Sequence, residues 1–132
     1  MPLVRKAVPA AREWDIVGYS RAVRVGDVIE VSGTSSSGPG GAILHAGDMY
    51  AQAAYVMSVI VSAVEELGGS VSDIVRTRVF VTDIARWREA GRAHAETFDG
   101  VEPKPASAFV GVSELLHPDL LIEVEATAIV GG

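Results

Sequence analysis

Two glutamates near the carboxyl-terminal end form the pattern in this sequence that is most suggestive of acid–base chemistry. Glu123 and Glu125 alternate with Ile122, Val124 and Ala126, and a period of two predicts a strand with both carboxylates on one face. A solvated outer face has the same pattern. In a partly dry cleft, however, burial raises the pKa of a carboxylate, which can then hold or transfer a proton through water.

The serine hydroxyls are a weaker indication of catalytic chemistry than the two glutamates. No Gly-x-Ser-x-Gly turn presents a nucleophile, so Ser32, Ser35 and Ser107 are candidates by residue type alone. Their ordinary role is hydrogen bonding in turns and strands. The stretch SGTSSSGPGG, residues 32–41, has backbone N–H groups that could cradle an anion, but no Gly-Lys-Ser/Thr follows, so it is not a nucleotide-binding loop.

The histidines do not form a metal-binding pattern. His45, His94 and His117 are far apart, and none has a second ligand at metal spacing. His94 and Glu96 are two residues apart on a predicted helix, so their side chains point in different directions. We therefore predict no dedicated metal site. We interpret His94 as a helix-packing residue and His45 as a solvated or functional loop residue.

Charge and composition limit the class of partner. The chain has 132 residues, the length of one domain (1–132), and its 11 Lys and Arg against 17 Asp and Glu give a net charge of −6. The basic residues are scattered, so neither a nucleic acid nor a lipid surface is an expected partner. The absence of cysteine excludes a disulfide framework and a thiolate nucleophile.

The apolar content favours self-association. Hydrophobic residues make up 48% of the chain, and the mean hydropathy of +0.30 is high for a small soluble domain. Faces buried between copies would account for this excess. The first residues lack the apolar core of a signal peptide, and no apolar run reaches the ~18 residues of a membrane span, so we predict a cytoplasmic protein.

The candidate residues near the amino terminus lie on a predicted hairpin. Residues 19–25 and 28–33 are its strands, and Gly26-Asp27 is its turn. Tyr19 and Arg21 share a strand face by the period of two. The following residues, 34–47, are rich in Gly, Pro and Ser and form a candidate lid.

Two helices follow. Asp48 caps a helix that runs to Leu67, and Gly68-Gly69 ends it. Its predicted buried stripe is Met49, Ala53, Val56, Ile60, Ala63 and Leu67. Asp83 caps the second helix, which ends at Gly100. The predicted inward stripe of this helix is Ile84, Trp87, Gly91, His94 and Phe98.

The remaining predicted strands lie before, between and after the two helices in the sequence. The strand between the helices is predicted within 73–83, with Val75, Thr77, Val79 and Val81 on one side. The last two strands are predicted at 107–113 and 121–130, and a short first strand at 3–7. The order β-β-β-α-β-α-β-β predicts an α+β fold with both helices on one sheet face. A neighbouring copy is the simplest cover for the other face.

The chain resembles the RidA/YjgF family of reactive-intermediate deaminases in four segments that follow one another over residues 17–130. They read GYSRAVRVGDVIEVSGT, AYVMSVIVSAVEELGGSVSDIVRTRVFVTDIARW, PASAFVGV and LIEVEATA. The resemblance implies a chorismate-mutase-like subunit in a homotrimer, with the sheets forming a central barrel and clefts between subunits. It also implies cofactor-independent hydrolysis of imines such as 2-aminoacrylate.

The same resemblance assigns site residues. It implies that Tyr19, the strand end Ser32-Gly33 and Glu123 position the substrate and water, and that Glu123 and Ser107 face one intersubunit cleft. The family arginine that grips the substrate carboxylate falls at Ser107, and serine supplies neither its charge nor its bidentate geometry. We therefore do not expect a standard 2-aminoacrylate deaminase.

The substitution at Ser107 leaves several functions open. Arg21 could replace the arginine in the cleft, or it could be an exposed strand residue or an interface salt-bridge partner. Phe109, two residues after Ser107, would make the pocket more apolar. The functions that remain are a Rid-type hydrolase or deaminase acting on C=N bonds and a non-catalytic sensor of a small metabolite. An endoribonuclease is disfavoured by the acidic charge.

Overall fold

The computed structural model describes residues 4–11 and 16–131. In chain order its elements are β1 (Arg5–Pro9), β2 (Ser20–Val25), β3 (Val28–Ser35), α1 (Met49–Glu66), β4 (Ile74–Val81), α2 (Trp87–Thr97), β5 (Ala106–Gly111) and β6 (Ile122–Ile129). The strands form a six-stranded sheet in the order β1-β2-β3-β6-β4-β5. All neighbours are antiparallel except β4 and β5. The predicted α+β fold is confirmed.

The amino-terminal strands lie close to their predicted positions. Gly26 and Asp27 close the hairpin, and Gly26 has a φ of 61°, which a residue without a Cβ adopts readily. Strand β3 continues two residues beyond the predicted end, to Ser35. The predicted first strand at 3–7 begins at a residue outside the described ranges, and the observed strand is Arg5–Pro9.

Helix α1 has the predicted start and the predicted buried face. The Asp48 Oδ1 accepts a hydrogen bond from the Ala51 N–H at 3.0 Å, which satisfies a donor of the first turn. All six residues of the predicted stripe are buried. The chain leaves the helix at Gly68, whose φ of 89° lies in the left-handed region that glycine favours. Local pattern was sufficient for this element.

The predicted facing of β4 was wrong at its first residues. Ile74 is 2% exposed and Val75 is 42% exposed, the reverse of the prediction for Val75. The pairing of β4 with β6 shifts between Ile74 and Arg76, and this bulge breaks the alternation. From Thr77 onward the predicted side of the strand is the buried side.

The predicted stripe of the second helix was correct at Phe98 but wrong at Ile84 and Trp87. Asp83 caps a 3-10 turn, Ile84–Arg86, and the α-helix begins only at Trp87. A 3-10 turn has about three residues per turn instead of 3.6, so it changes the phase of the positions that follow. Ile84 and Trp87 are consequently exposed, at 51% and 44%. The buried residues are Ala90, Ala93 and Phe98.

The helices cover one face of the sheet, and the other face is open in the single chain. Apolar side chains of the open face include Val28, Val110 and Ile129, which are 41%, 43% and 41% exposed. Val28 and Ile129 are register partners on β3 and β6. Within the described part of the chain, neither helix has the length and apolar character needed to cross a membrane.

Candidate functional site

Two neighbouring bulges shape the sheet near the predicted site. In β3, Ser32 and Gly33 together oppose a single β6 residue, because Val31 pairs with Ala126 and Thr34 with Val124. In β2, Arg21 is the extra residue opposite a register shift in β1. Bulges redirect side chains that regular strands would leave on a flat face.

A cavity of about 610 Å³ lies beside these bulges. It brings together four of the predicted site residues, Tyr19, Arg21, Gly33 and Glu123. Its apolar wall includes Val17, Val59, Leu116 and Leu120. The cavity therefore combines a polar floor of charged side chains with a largely apolar wall, as small-molecule sites commonly do.

Glu123 fits this cavity because residue 33 is glycine. A Cβ built at Gly33 would lie 2.7 Å from Glu123 Oε2 and 2.9 Å from its Cδ. Real Cβ atoms essentially never approach other atoms so closely. The predicted strand end thus acts through the missing side chain of Gly33, which leaves space for the carboxylate.

The two glutamates of β6 have different environments. Burial raises the pKa of Glu123, the charge of Glu125 adds to the increase, and the nearby Arg21 opposes it. Within the described residues, the Glu123 carboxylate has no hydrogen bond or ion pair, although the backbone of Glu123 is paired in the sheet. Glu125 instead forms an ion pair with Arg78, with 3.8 Å between Arg78 Nη1 and Glu125 Oε1. Of the two carboxylates, that of Glu123 is therefore the one without a partner among the described residues.

Arg21 enters the same cavity in a fixed orientation. Its Nη1 donates to the Gly33 carbonyl at 3.0 Å and to Thr34 Oγ1 at 2.8 Å. Its Nη2 donates to the Tyr19 hydroxyl at 2.9 Å. These contacts join the two bulged strands, so Arg21 is not the exposed strand residue that was one of its predicted alternatives.

Ser107 lies elsewhere in the single chain. It is the parallel register partner of Thr77, whose Oγ1 donates to Ser107 Oγ at 2.7 Å. Thr77 is buried on the helix side of the sheet, whereas Glu123 pairs with Phe80 on the opposite side. One chain alone does not bring Ser107 and Glu123 together. A shared cleft requires Ser107 from one copy and Glu123 from another.

The surroundings of Ser107 are a small aromatic cluster. The His94 Nε2 lies 2.8 Å from Thr77 Oγ1, and its ring centroid is 4.8 Å from that of Phe98 and 5.7 Å from that of Phe109. Burial lowers the pKa of His94, which favours the neutral imidazole. His94 is therefore a packing residue, as interpreted from the sequence. Phe109 shares its strand face with Ser107 and does not line the Glu123 cavity.

The remaining predicted polar residues have structural partners. Ser32 Oγ donates to the Ser20 carbonyl at 2.7 Å, so this hydroxyl joins the hairpin strands and does not line the cavity. His117 Nδ1 accepts from the Asp119 N–H at 3.0 Å. Among the described residues no group of three or more His, Asp or Glu side chains is arranged to hold a metal ion.

The candidate lid forms one wall of the cavity. Ser36 and Leu44 exchange two hydrogen bonds, from Leu44 N–H to the Ser36 carbonyl at 2.9 Å and from Ser36 Oγ to the Leu44 carbonyl at 2.8 Å. Ser37 and Pro39, at its tip, line the cavity. The segment thus closes on itself as a short hairpin-like loop in this structure.

A buried glutamine, which the sequence reasoning missed, connects this loop to a second one. Gln52, on α1, donates from Nε2 to the Leu44 carbonyl at 3.2 Å and to the Asp119 carbonyl at 2.9 Å. Its Oε1 accepts from the Leu121 N–H at 2.9 Å. The loop before β6 contains Leu116 and Leu120 of the cavity wall. The signal in the sequence was a polar residue within the apolar stripe of α1.

Comparisons with known proteins agree with this fold over nearly the whole chain. Residues 11–130 match the family Ribonuc_L-PSP, described as Endoribonuclease L-PSP. Rv2704 from Mycobacterium tuberculosis, a member of the YjgF/YER057c/UK114 family, has a TM-score of 0.84 and 41% identity, covering 96% of this chain and 100% of its own. The YjgF gene product of E. coli has a TM-score of 0.79 and 32% identity, covering 93% of each chain. A RutC family protein from Pyrococcus abyssi (strain GE5 / Orsay) is 36% identical over 110 residues, 83% of this chain and 84% of the relative.

Proposed function

Since this chain belongs to the Rid/YjgF family, we propose that it is a homotrimeric hydrolase of C=N bonds that works without a cofactor. The observation that carries the proposal is the environment of Glu123, a half-buried and unpaired carboxylate in a cavity shared with Tyr19 and Arg21. A carboxylate whose pKa is raised above its usual value is a stronger base and is better suited to accept and return a proton.

The reaction needs one water and one proton carrier. Water adds to the imine carbon, its oxygen forms the new C–O bond, and the C=N π electrons move to nitrogen. Glu123 accepts a proton from the water and delivers it to that nitrogen. In the resulting carbinolamine, the C–N bond breaks as the C=O bond forms, and Glu123 carries the hydroxyl proton to the departing nitrogen. Ammonia and a carbonyl compound leave, and the carboxylate is regenerated unchanged.

Tyr19 and Gly33 support this role of Glu123. The Tyr19 hydroxyl accepts a hydrogen bond from Arg21, which leaves its own proton free to donate to a bound substrate. Gly33 provides the space that the carboxylate occupies. Because Ser107 supplies no positive charge, we propose that the preferred substrate is not 2-aminoacrylate.

Glu123→Gln tests the catalytic assignment. Imines produced in situ by an amino-acid oxidase from a panel of amino acids would be followed by ammonia release with and without the protein. We expect Glu123→Gln to lower kcat/KM by about 100- to 10,000-fold, the usual contribution of a positioned acid or base. Glu125→Gln changes the same charge two residues away and should have a far smaller effect. Equal activity of the Glu123 variant and the wild type would contradict the assignment of Glu123 as the proton carrier.

A non-catalytic metabolite sensor is the second candidate, and the neutral Ser107 favours it. A thermal-shift screen would separate the two functions, because a ligand that stabilises the protein without being consumed supports the sensor. The family description also names an endoribonuclease, but the net charge of −6 opposes contact with phosphates. RNA binding at low ionic strength would reopen that function.

A further inference from the structure

Arg21 is the arginine of the cavity, and its hydrogen bonds do not neutralise it. A guanidinium has five N–H donors, and three of those of Arg21 reach neutral oxygens, namely a carbonyl and two hydroxyls. This leaves the Nε donor and one Nη2 donor without a partner in the described chain. The three contacts fix the orientation of the group, so a ligand would meet a preorganised cation.

Three other arginines of the chain form ion pairs. Arg24 lies 3.7 Å from Asp27, Arg78 lies 3.8 Å from Glu125, and Arg86 lies 3.0 Å from Glu89. Among the described residues, Arg21 shares with several other arginines the lack of a carboxylate within the 4.0 Å of an ion pair, but it is the arginine that lines the cavity of about 610 Å³. Its guanidinium is nevertheless close enough to Glu123 to affect that carboxylate. A positive charge inside a cavity without an ion-pair partner is best explained by an anion that binds there.

The rest of the cavity restricts that anion. Glu123 and the acidic chain disfavour a ligand with two negative charges, so a single carboxylate suits the site better than a phosphate dianion. Val59, Leu116 and Leu120 offer an apolar wall. A volume of about 610 Å³ has room for more than a carboxylate.

We propose that Arg21 is the anion-recognition residue of this cavity and that its ligand is a monocarboxylate with a branched or aromatic apolar body. The identity of the ligand as a substrate rests on the proposed hydrolase function, whereas its binding does not. With the carboxylate at Arg21, the neighbouring atoms of the ligand lie toward Glu123. The apolar body lies against the wall formed by α1 and the loop before β6.

Calorimetric binding with three probes tests this inference. The probes are 4-methyl-2-oxopentanoate, its methyl ester, which lacks the charge, and pyruvate, which lacks the apolar body. We expect the branched acid to bind at least tenfold more tightly than either of the other two. Arg21→Gln should weaken binding of the branched acid by about 10- to 100-fold, the effect of losing a charged hydrogen bond. Arg21→Lys, which keeps the charge, should lose less.

Arg88→Gln is the matched control, since it removes the same charge from an exposed side chain outside the cavity. Circular dichroism and thermal unfolding would establish that the Arg21 variants are folded. The inference is overturned if wild-type protein does not bind the branched acid at millimolar concentration, if the ester binds equally well, or if Arg21→Gln binds like wild type.

Binding and turnover distinguish this inference from the proposed function. Glu123→Gln should lower kcat/KM for imine hydrolysis by about 100- to 10,000-fold and still bind the branched acid. Arg21-dependent binding without any turnover would refute the hydrolase and leave the anion site intact. Turnover by a protein whose binding of the branched acid is insensitive to Arg21→Gln would refute the anion site and leave the hydrolase intact.

Discussion

The carboxylate of Glu123 occupies the space in which residue 33 would carry its side chain, with Oε2 only 2.7 Å from the Cβ position of Gly33. The two residues are therefore coupled across neighbouring strands. The end of a glutamate side chain is flexible, so a larger residue at position 33 would displace the carboxylate before it disturbed the strands.

Gly33→Ala should consequently impair function more than folding. We expect a loss of imine hydrolysis approaching that of Glu123→Gln, with a change in the free energy of unfolding of only about 1 kcal/mol. Kinetics and denaturant unfolding of the same preparation measure the two effects. Gly91→Ala, on α2, is the control, and it should retain activity and gain about 0.5–1 kcal/mol of stability. Full activity of Gly33→Ala would contradict the coupling.

The raised pKa of Glu123 predicts a pH-dependent penalty on stability. Because the folded state holds this proton more tightly than the unfolded state, the penalty is absent below the unfolded pKa and develops as the pH rises through the folded pKa. Glu123→Gln should therefore gain stability relative to wild type as the pH increases above about 4.5, the usual value for glutamate. Denaturant unfolding between pH 4 and pH 8 would measure the difference.

Glu89 should affect the pH dependence of stability in the opposite direction to Glu123. Its hydrogen bond with Arg86 lowers the pKa of Glu89, so its contribution is present above the unfolded pKa and is lost as the pH falls. Glu89→Gln should lose stability relative to wild type near neutral pH, and the difference should shrink on acidification. Parallel trends for the two variants would mean that a general charge effect, and not burial of Glu123, is responsible.

Thr77 should be important for stability because one hydroxyl serves two partners. It is fully buried and contacts both Ser107 Oγ and His94 Nε2. Thr77→Val keeps the shape but leaves these polar groups with fewer partners, so we expect a loss of about 1–3 kcal/mol in the free energy of unfolding. Thr97→Val removes a bond within α2 to the Ala93 carbonyl and should cost much less. Equal losses in the free energy of unfolding for the two variants would contradict a special contribution of the Thr77 hydroxyl.

Ser107→Arg should introduce 2-aminoacrylate hydrolysis, or increase it. Ser107 is exposed on the edge strand β5, so a longer side chain can extend from it without repacking the core. Its guanidinium would supply the bidentate carboxylate contact that serine lacks. Adding Glu123→Gln to this variant should remove the new activity. An inactive Ser107→Arg protein that is folded and trimeric would show that the missing cation is not the reason for a different substrate preference.

The open sheet face should be buried between copies in solution. Light scattering coupled to gel filtration is expected to give the mass of a trimer. Val28→Lys places a charge beside Ile129 on that face and should shift the population to smaller species. Ile84→Lys is the control, because it changes an exposed apolar residue that does not belong to that face. Dissociation by the Ile84 variant alone would place the interface elsewhere.

Local patterns were sufficient for the elements and insufficient for the faces that depend on pairing. The α1 stripe and the Gly26-Asp27 turn follow from residues a few positions apart. The exposure of Val75 follows from a register shift against β6, and the exposure of Trp87 from a 3-10 turn that no local pattern distinguished from the helix.

The candidate site also combines residues that the sequence identified with relationships that depend on strand pairing. Tyr19 and Glu123 were identified by resemblance, and the structure brings them to one cavity. Ser107 and Glu123 are both strand residues with a period of two, and only the register of the strand pairs reveals that they lie on opposite sheet faces. The contacts of Arg21 depend on two bulges, which are properties of paired strands and leave no pattern in one segment.

Gln52 gives the cavity a mechanical property. The Gln52 side chain binds both the candidate lid, at Leu44, and the loop that precedes β6. Neither loop can separate from α1 while all the hydrogen bonds of Gln52 remain. We expect the two loops to open together, as one cooperative event whose free energy includes the exposure of a buried amide. A ligand would then enter and leave at the rate at which these two loops open. That rate would depend on Gln52, which does not line the cavity.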